Sequence, residues 1–208
     1  MSGVAAWLAL LLAAAAPVEQ AALLGALAGG AVEARRAAAA RLAEVGDDGA
    51  TAGLLQALRD PDPGVRQLAQ DALWAIWQRS GDPAIDALLA RGVELMDARQ
   101  LPEAIIVFSE VIERAPWFAE GWNKRATAYY LMGELDRSLA DCEEVIRRNP
   151  VHFGALSGFG LIYLQKEDLA RAAEYFEKAL AVNPNLAQVE AALKEIRELQ
   201  ARRRMQSI

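Results

Sequence analysis

Cysteine and histidine are almost absent from this chain of 208 residues, which has one of each, Cys142 and His152. A single cysteine excludes an internal disulfide framework. One cysteine and one histidine are also too few for a cluster with the spacing of a metal site. There is also no glycine-rich phosphate loop and no nucleophile motif. We therefore expect no cofactor and no enzymatic activity. His152 follows Pro150 at the start of a predicted helix and is interpreted as a surface or helix-start residue.

An excess of basic side chains is also missing. The 22 lysines and arginines are outnumbered by 28 aspartates and glutamates, giving a net charge of −6. Proteins that bind nucleic acid usually present a basic face, so this balance argues against one. No segment has the pattern of a β-strand, and alanine, leucine, glutamate and arginine, all good helix formers, dominate throughout. The sequence predicts an all-α fold.

The N-terminus carries an apolar run without charge, from Val4 to Ala16, and the first charged residue is Glu19. A membrane-spanning helix needs roughly 20 apolar residues, whereas a secretory signal needs fewer. Small residues suitable for cleavage surround Ala15, although no lysine or arginine precedes the run. We interpret residues 1–16 as a cleaved bacterial signal peptide, which predicts export to the periplasm. A buried alanine-rich first helix and an uncleaved membrane anchor are the alternatives.

Two similar segments follow, EARRAAAARL at 33–42 and GVRQLAQDAL at 64–73. Asp62 lies where it can cap the second helix. A helix, a DPDP turn and a second helix of this type resemble a HEAT repeat. The resemblance implies that a turn aspartate, Asp60 or Asp62, pairs with Arg66 of the following helix.

Three prolines then recur at intervals of 34 residues, and a fixed period in this range is typical of stacked helical units. Each proline is expected to end a helix, because the residue before it is disfavoured in the helical region. The same residue types recur in the same slots of each unit. Small residues at two of these slots let helices approach closely, and aromatic residues fill the space between helix pairs. The prolines are Pro116, Pro150 and Pro184; the slots hold Gly92, Ala126 and Gly160 (slot 8), Leu95, Tyr129 and Tyr163 (slot 11), Ala104, Ser138 and Ala172 (slot 20), and Phe108, Cys142 and Phe176 (slot 24).

This pattern resembles three tandem tetratricopeptide repeats (TPRs), at 85–118, 119–152 and 153–186. After them, apolar residues at helical spacing from Leu186 onward predict a final helix that covers the end of the stack. The predicted architecture is an α-solenoid of antiparallel helix pairs. Its parts are a HEAT-like segment (17–80), three TPR units (81–184) and a C-terminal capping helix (185–208).

The resemblance implies a protein-binding module, in which the first helix of each pair lines a concave groove. The groove positions predict contacts to a partner protein or peptide from Leu89, Val93, Met96, Asn123, Thr127, Tyr130, Leu131, Ser157, Leu161 and Leu164. TPR domains that grip the acidic tails of cytosolic chaperones carry lysine, asparagine and further basic residues at defined groove positions. This chain has Leu89, Val93, Gly154 and Gly158 there, so we expect no such carboxylate clamp.

The function that follows is a non-catalytic scaffold or adaptor that binds its partner in the TPR groove. The alternatives are an assembly or chaperone-like periplasmic factor for unfolded clients and an accessory subunit of an envelope enzyme. No nucleic-acid partner is expected, and membrane contact is expected at most through an uncleaved N-terminus. The sequence leaves the oligomeric state open.

Overall fold

The computed structural model describes residues 18–206, and within this range every regular element is helical and no strand occurs. The expected signal peptide at 1–16 lies outside the described residues. The chain divides into two compact units, of which the first ends at Gln78 and the second begins at Arg79.

The first unit is built from short helices around an alanine- and leucine-rich core. Leu42, Leu54, Leu58 and Leu73 are fully buried there. The helices are α1 (18–29), α2 (Val32–Val45), α3 (Thr51–Ala57) and α4 (Pro63–Trp77), with a short 3₁₀ turn at Asp48–Ala50 before α3.

The cap predicted for α4 is present, because the Asp62 carboxylate accepts a hydrogen bond from Val65 N–H and Pro63 begins the helix. The ion pair predicted from the HEAT resemblance is wrong. Asp60 pairs with Arg35 of α2, with both guanidinium–carboxylate contacts at 2.7 and 2.9 Å.

Asp62 likewise pairs with an arginine of α2, Arg36, at 2.8 and 2.7 Å. Arg66 instead donates to the carbonyl oxygens of Asp60 and Pro61, at 2.9 and 3.1 Å. The Arg66 side chain lies beside the backbone of the turn. The carboxylates are instead contacted by two guanidinium groups from α2, which packs against α4. The turn aspartates therefore connect α2 to the start of α4, and Asp62 does so while it also caps α4.

The second unit is an α-solenoid of helix pairs. Its pairs are α5 (Pro83–Asp97) with α6 (Leu101–Arg114), α7 (Ala119–Leu131) with α8 (Leu135–Arg148), and α9 (Phe153–Gln165) with α10 (Leu169–Val182); α11 (Ala187–Gln206) follows. The second helix of each pair ends two residues before a proline of the 34-residue series. The intervening residues, Ala115, Asn149 and Asn183, have φ of −136°, −133° and −123°, as expected of residues that precede proline.

Two glycines set the spacing within the outer pairs. A Cβ added at Gly92 would lie 2.3 Å from the Phe108 ring, and one added at Gly160 would lie 2.3 Å from the Phe176 ring. Both phenylalanines are fully buried. Glycine is therefore required where each ring fills the space between its two helices, as the slot pattern predicts.

The last helix packs its apolar stripe on the end of the array. Leu193 and Ile196 are buried with Ala172 and Phe176 in one core cluster. The other side of α11 carries charged residues, and Arg197 pairs with Glu177 of α10 at 2.8 Å. Such a helix covers apolar surface that an open array end would expose.

None of the helices in the described range combines the length and apolar character needed to cross a bilayer.

Candidate functional site

A pocket of about 150 Å³ opens between α7 and α9, with α8 at its floor. Its walls contain no charged side chain. We call it the α7–α9 pocket, and it is lined by Asn123, Ala126, Thr127 and Tyr130 of α7, Ser138 and Cys142 of α8, and Gly154, Ala155, Ser157, Gly158, Leu161 and Ile162 of α9.

The pocket exists because the middle repeat has small residues where its neighbours have large ones. Slot 24 holds Cys142, whereas the flanking repeats place Phe108 and Phe176 there. On the facing helix, Gly158 leaves further room, since a Cβ added to it would meet only Cys142 Sγ, at 3.5 Å. The volume is enough for one aliphatic side chain of a ligand.

Two hydroxyl groups at the pocket wall already donate hydrogen bonds to backbone carbonyl oxygens of their own helices. Thr127 Oγ1 donates to Asn123 O at 2.9 Å, and Ser157 Oγ donates to Phe153 O at 2.7 Å. Their oxygens keep acceptor capacity. Tyr130 is half-buried, and its hydroxyl forms no hydrogen bond to any other residue in the range 18–206. The pocket therefore offers an apolar interior with donors and acceptors at its edge.

The structure brings five of the predicted groove residues together around this pocket: Asn123, Thr127, Tyr130, Ser157 and Leu161. Of these five, Leu161 is also 40% exposed on α9. The other predicted residues lie elsewhere. Leu131 is 44% exposed at the end of α7 and, like Leu161, presents apolar surface to solvent. Val93 and Met96 are half-buried against the first core cluster, and Leu164 is half-buried against the cluster beneath α11.

Leu89 is a correction to the predicted groove. Its side chain is only 4% exposed and belongs to the core cluster of Ile85, Phe108 and Phe118. The same cluster contains Ala104 and Phe108 of α6, the partner helix of α5. Leu89 is therefore a packing residue and offers no contact surface to a ligand.

A buried polar cluster lies directly behind the pocket. The Glu120 side chain has no exposed surface, and its Oε2 accepts from Asn123 Nδ2 and from His152 Nε2, each at 3.1 Å. Its Oε1 lies 3.0 Å from Lys124 Nζ, as an ion pair without hydrogen-bond geometry. Burial by itself would raise the pKa of Glu120, but His152 and Lys124 outweigh burial and the pKa is lowered.

His152 is the N-cap of α9, in agreement with the predicted position at a helix start, but it is fully buried and the surface interpretation is wrong. Its Nδ1 accepts a hydrogen bond from Ala155 N–H at 3.0 Å and so caps the helix. An Nδ1 that accepts carries no proton, so the proton of the neutral ring is on Nε2, facing Glu120.

Sequence reasoning missed this cluster and the pocket's floor. The difference between Cys142 and the two phenylalanines was visible in the slot pattern, and it is the one signal that could have predicted a cavity. Burial raises the pKa of the Cys142 thiol to about 12, with further raising by Asp141 and Glu143. The thiol is therefore a protonated wall of the pocket and not a nucleophile.

Two larger clefts, of about 530 and 790 Å³, flank α10. Both are lined partly by charged side chains that already have partners. Lys178 pairs with Glu174 at 2.6 Å in the first, and Arg197 pairs with Glu177 in the second. These clefts lack the uncharged, concave wall of the α7–α9 pocket.

A comparison with protein families matches residues 89–150 and 123–187 to the tetratricopeptide repeat. Residues 89–187 are tetratricopeptide repeats. The match covers the helices that form the α7–α9 pocket and leaves the first unit outside it.

Two curated relatives match part of this chain. A TPR repeat-containing protein of Rhizobium etli is 30% identical over 129 residues, which are 62% of this chain and 63% of that protein. Hsp70-Hsp90 organizing protein 1 of Glycine max is 28% identical over 105 residues, which are 50% of this chain and 18% of that protein. The chain thus spans less than two thirds of the length of either relative.

Solved TPR structures show the same fold. The Sgt2 TPR domain from Aspergillus fumigatus has a TM-score of 0.56 at 24% identity, covering 59% of this chain and 83% of that one. The first TPR of Spaghetti (RPAP3), bound to the HSP90 peptide SRMEEVD, has a TM-score of 0.54 at 21% identity, covering 56% and 93%. At these identities the likeness concerns the helical fold.

Proposed function

We propose that this protein is a non-catalytic scaffold that binds an extended or helical segment of a partner protein across α7 and α9. The observation that carries the proposal is the α7–α9 pocket, an uncharged cavity of about 150 Å³ on a TPR surface. Exposed Leu131 and Leu161 lie on the same two helices and supply further apolar contact. A TPR relative in complex with a peptide supports a peptide as the ligand class.

The ligand we propose differs from the acidic HSP90 peptide. That peptide ends in Glu-Glu-Val-Asp, and its recognition by charge would require basic side chains in the groove. The α7–α9 pocket has none, and Gly154 and Gly158 stand at two of the positions where a clamp would carry them. We therefore propose a ligand anchored by one aliphatic side chain in the pocket, with its backbone hydrogen-bonded at the Asn123 and Tyr130 edge.

The test begins with selection of binders from a random dodecapeptide library on immobilised wild-type protein. The affinity of the best peptide is then measured by calorimetry for wild type and for Gly158→Leu. A Cβ at Gly158 has only an ordinary contact with Cys142, and we expect the rest of the leucine side chain to extend into the pocket. We expect at least tenfold weaker binding, about 1.4 kcal/mol or more.

Gly25→Leu is the matched control, since it makes the same substitution on α1 where no atom lies within 4 Å of the added Cβ. Its affinity should equal that of wild type. Equal affinity of Gly158→Leu and wild type would place the ligand elsewhere and contradict the proposal. Weak binding of many unrelated apolar peptides, without one selected motif, would favour the chaperone-like alternative.

Export to the periplasm is proposed on the apolar run at residues 4–16 alone. N-terminal sequencing of the protein recovered from fractionated cells tests it. A start near Ala16 in the periplasmic fraction supports export, and an intact Met1 in the membrane fraction supports an anchor. The HEAT-like character of the first unit is likewise a proposal, supported by its helix pair with the Asp62 turn.

A further inference from the structure

The carboxylate of Glu120 connects the two walls of the α7–α9 pocket. On one side it accepts from Asn123, whose side chain forms part of the α7 wall. On the other side it accepts from His152, which caps α9 through Ala155 N–H, and Ala155 forms part of the α9 wall. A single oxygen, Oε2, receives both contacts.

Burying a charged carboxylate lowers the stability of the fold unless the contacts of that carboxylate compensate. Removing a carboxylate from water costs several kcal/mol, and apolar side chains of similar volume often replace buried ion pairs without loss of stability. Glu120 is nevertheless 1% exposed and His152 is fully buried. Hydrogen bonds to Glu120 orient the Asn123 amide and the His152 ring, because hydrogen bonds are directional and apolar contacts are not.

The ion pair and the two hydrogen bonds use different oxygens of Glu120. Lys124 approaches Oε1, whereas Asn123 and His152 both contact Oε2. A neutral acceptor in place of Oε2 would keep the geometry of the pocket without the charge.

We propose that Glu120 is a positioning residue for ligand binding, holding Asn123 and the start of α9 at the separation that the ligand requires. This inference rests on the proposed peptide-binding function. It assigns to Glu120 and His152 a role in setting the shape and polarity of the pocket edge without contact to the ligand.

The test uses the dodecapeptide selected on wild-type protein and three variants. Glu120→Leu removes the acceptor, and we expect roughly tenfold weaker binding, as for the loss of one oriented hydrogen bond. His152→Asn keeps an N-cap acceptor for Ala155 but is too short to reach Glu120, so its affinity should fall to a similar degree. Glu120→Gln with Lys124→Met keeps a neutral acceptor for both donors, and its affinity should stay within about threefold of wild type.

A second readout separates positioning from folding. His152 is the only histidine of the chain, so its ring nitrogens give one set of ¹⁵N signals. Because Ala155 N–H keeps Nδ1 unprotonated, we expect the Nε2–H tautomer in wild type and in both variants of Glu120. The Nε2–H proton should resonate downfield in wild type and in Glu120→Gln/Lys124→Met, where residue 120 supplies an acceptor, and should move upfield in Glu120→Leu, where the acceptor is lost. An Nδ1–H tautomer in wild type overturns the inference. Thermal unfolding confirms that each variant is folded at the temperature of the binding measurement.

The two proposals fail differently. Binding that is abolished by Gly158→Leu but equal in wild type, Glu120→Leu and His152→Asn would overturn the positioning role and leave the peptide function standing. Binding that is insensitive to Gly158→Leu would overturn the proposed function and this inference with it. Glu110→Leu, at an exposed position of α6, is the control for loss of a glutamate and should bind as wild type does.

Discussion

Gly160 lies against the ring of Phe176 so closely that a single added carbon would sit 2.3 Å from Cδ1 and Cε1. The same distance separates a Cβ at Gly92 from the ring of Phe108, two repeats earlier in the chain. In the middle pair the same two slots hold Ala126 and Cys142, so the methyl that glycine lacks is present and the aromatic ring is not. The outer pairs thus combine a glycine with a phenylalanine, whereas the middle pair combines an alanine with a cysteine. The smaller total volume of the second combination leaves the α7–α9 pocket open.

Two alanine substitutions on α9 should have opposite outcomes. Gly160→Ala overpacks the helix pair and should lower the free energy of unfolding by about 1–3 kcal/mol. Gly158→Ala, two residues away, meets only Cys142 Sγ at 3.5 Å and should be neutral or stabilising, because alanine favours a helix over glycine by about 1 kcal/mol. Chemical denaturation of the two variants measures their free energies of unfolding. Equal stability of the two variants would show that the Phe176 ring moves aside without loss of stability.

The middle pair should accept the packing of its neighbours only if both residues change. Cys142→Phe alone is expected to destabilise by roughly 1–3 kcal/mol, since Ala126 occupies the space beside it. Adding Ala126→Gly should recover most of the loss, because it recreates the glycine–phenylalanine pairing of the outer repeats. A double-mutant cycle measures the coupling. Additive effects would mean that the slots of the middle repeat do not face each other as those of the outer repeats do.

The double variant should also fill the pocket. A phenylalanine at position 142 occupies volume that Cys142 leaves open, so the protein should be folded yet bind the selected peptide at least tenfold more weakly. Calorimetry on the folded double variant measures its affinity for the selected peptide. Unchanged affinity would separate the cavity from the binding site.

The thiol of Cys142 should be unreactive in the native state. Burial raises its pKa to about 12, so the thiolate is scarce at pH 8, and the side chain is 3% exposed. Ellman's reagent should react slowly with native protein and rapidly in denaturant. Saturating the selected peptide should slow the native reaction further, because Cys142 forms part of the pocket wall. Native reactivity equal to that of a free thiol would contradict a closed pocket floor.

Asp62 gives the first unit a defined acid response. The hydrogen bond from Arg36, with Val65 N–H, lowers the pKa of Asp62 from 3.8 to about 2. A lowered pKa means that the stabilising contribution is complete above pH 3.8 and is lost as the pH falls through about 2. Arg36→Met should raise the pKa toward 3.8 while the backbone contact remains. Carboxyl ¹³C titration of both proteins checks the shift, and an identical midpoint would assign the effect to the backbone alone.

The repeat period was readable from sequence because it depends on local chemistry. Proline disfavours the helical conformation in the residue before it, and helices accordingly end two residues before Pro116, Pro150 and Pro184. Small and aromatic residues at fixed slots likewise predicted helix pairs, since close approach depends on side-chain size.

What could not be predicted depends on which element faces which. Arg66 and Arg35 are equally good partners for a turn aspartate by spacing, and only the crossing of α2 over α4 selects Arg35. Leu89 lies on a helix face that tertiary packing turns into the core. The contact of Glu120 with His152 joins residues 32 positions apart, and no helical or turn periodicity brings them together.

Backbone chemical-shift mapping of the selected dodecapeptide on ¹⁵N-labelled protein would show whether the ligand binds at the α7–α9 pocket. We expect the largest perturbations at Asn123, Thr127, Ser157, Gly158 and Leu161, with small changes on α10. A perturbation centred on the cleft beside Tyr175 and Lys178 would contradict it and place the binding surface on the opposite side of α9.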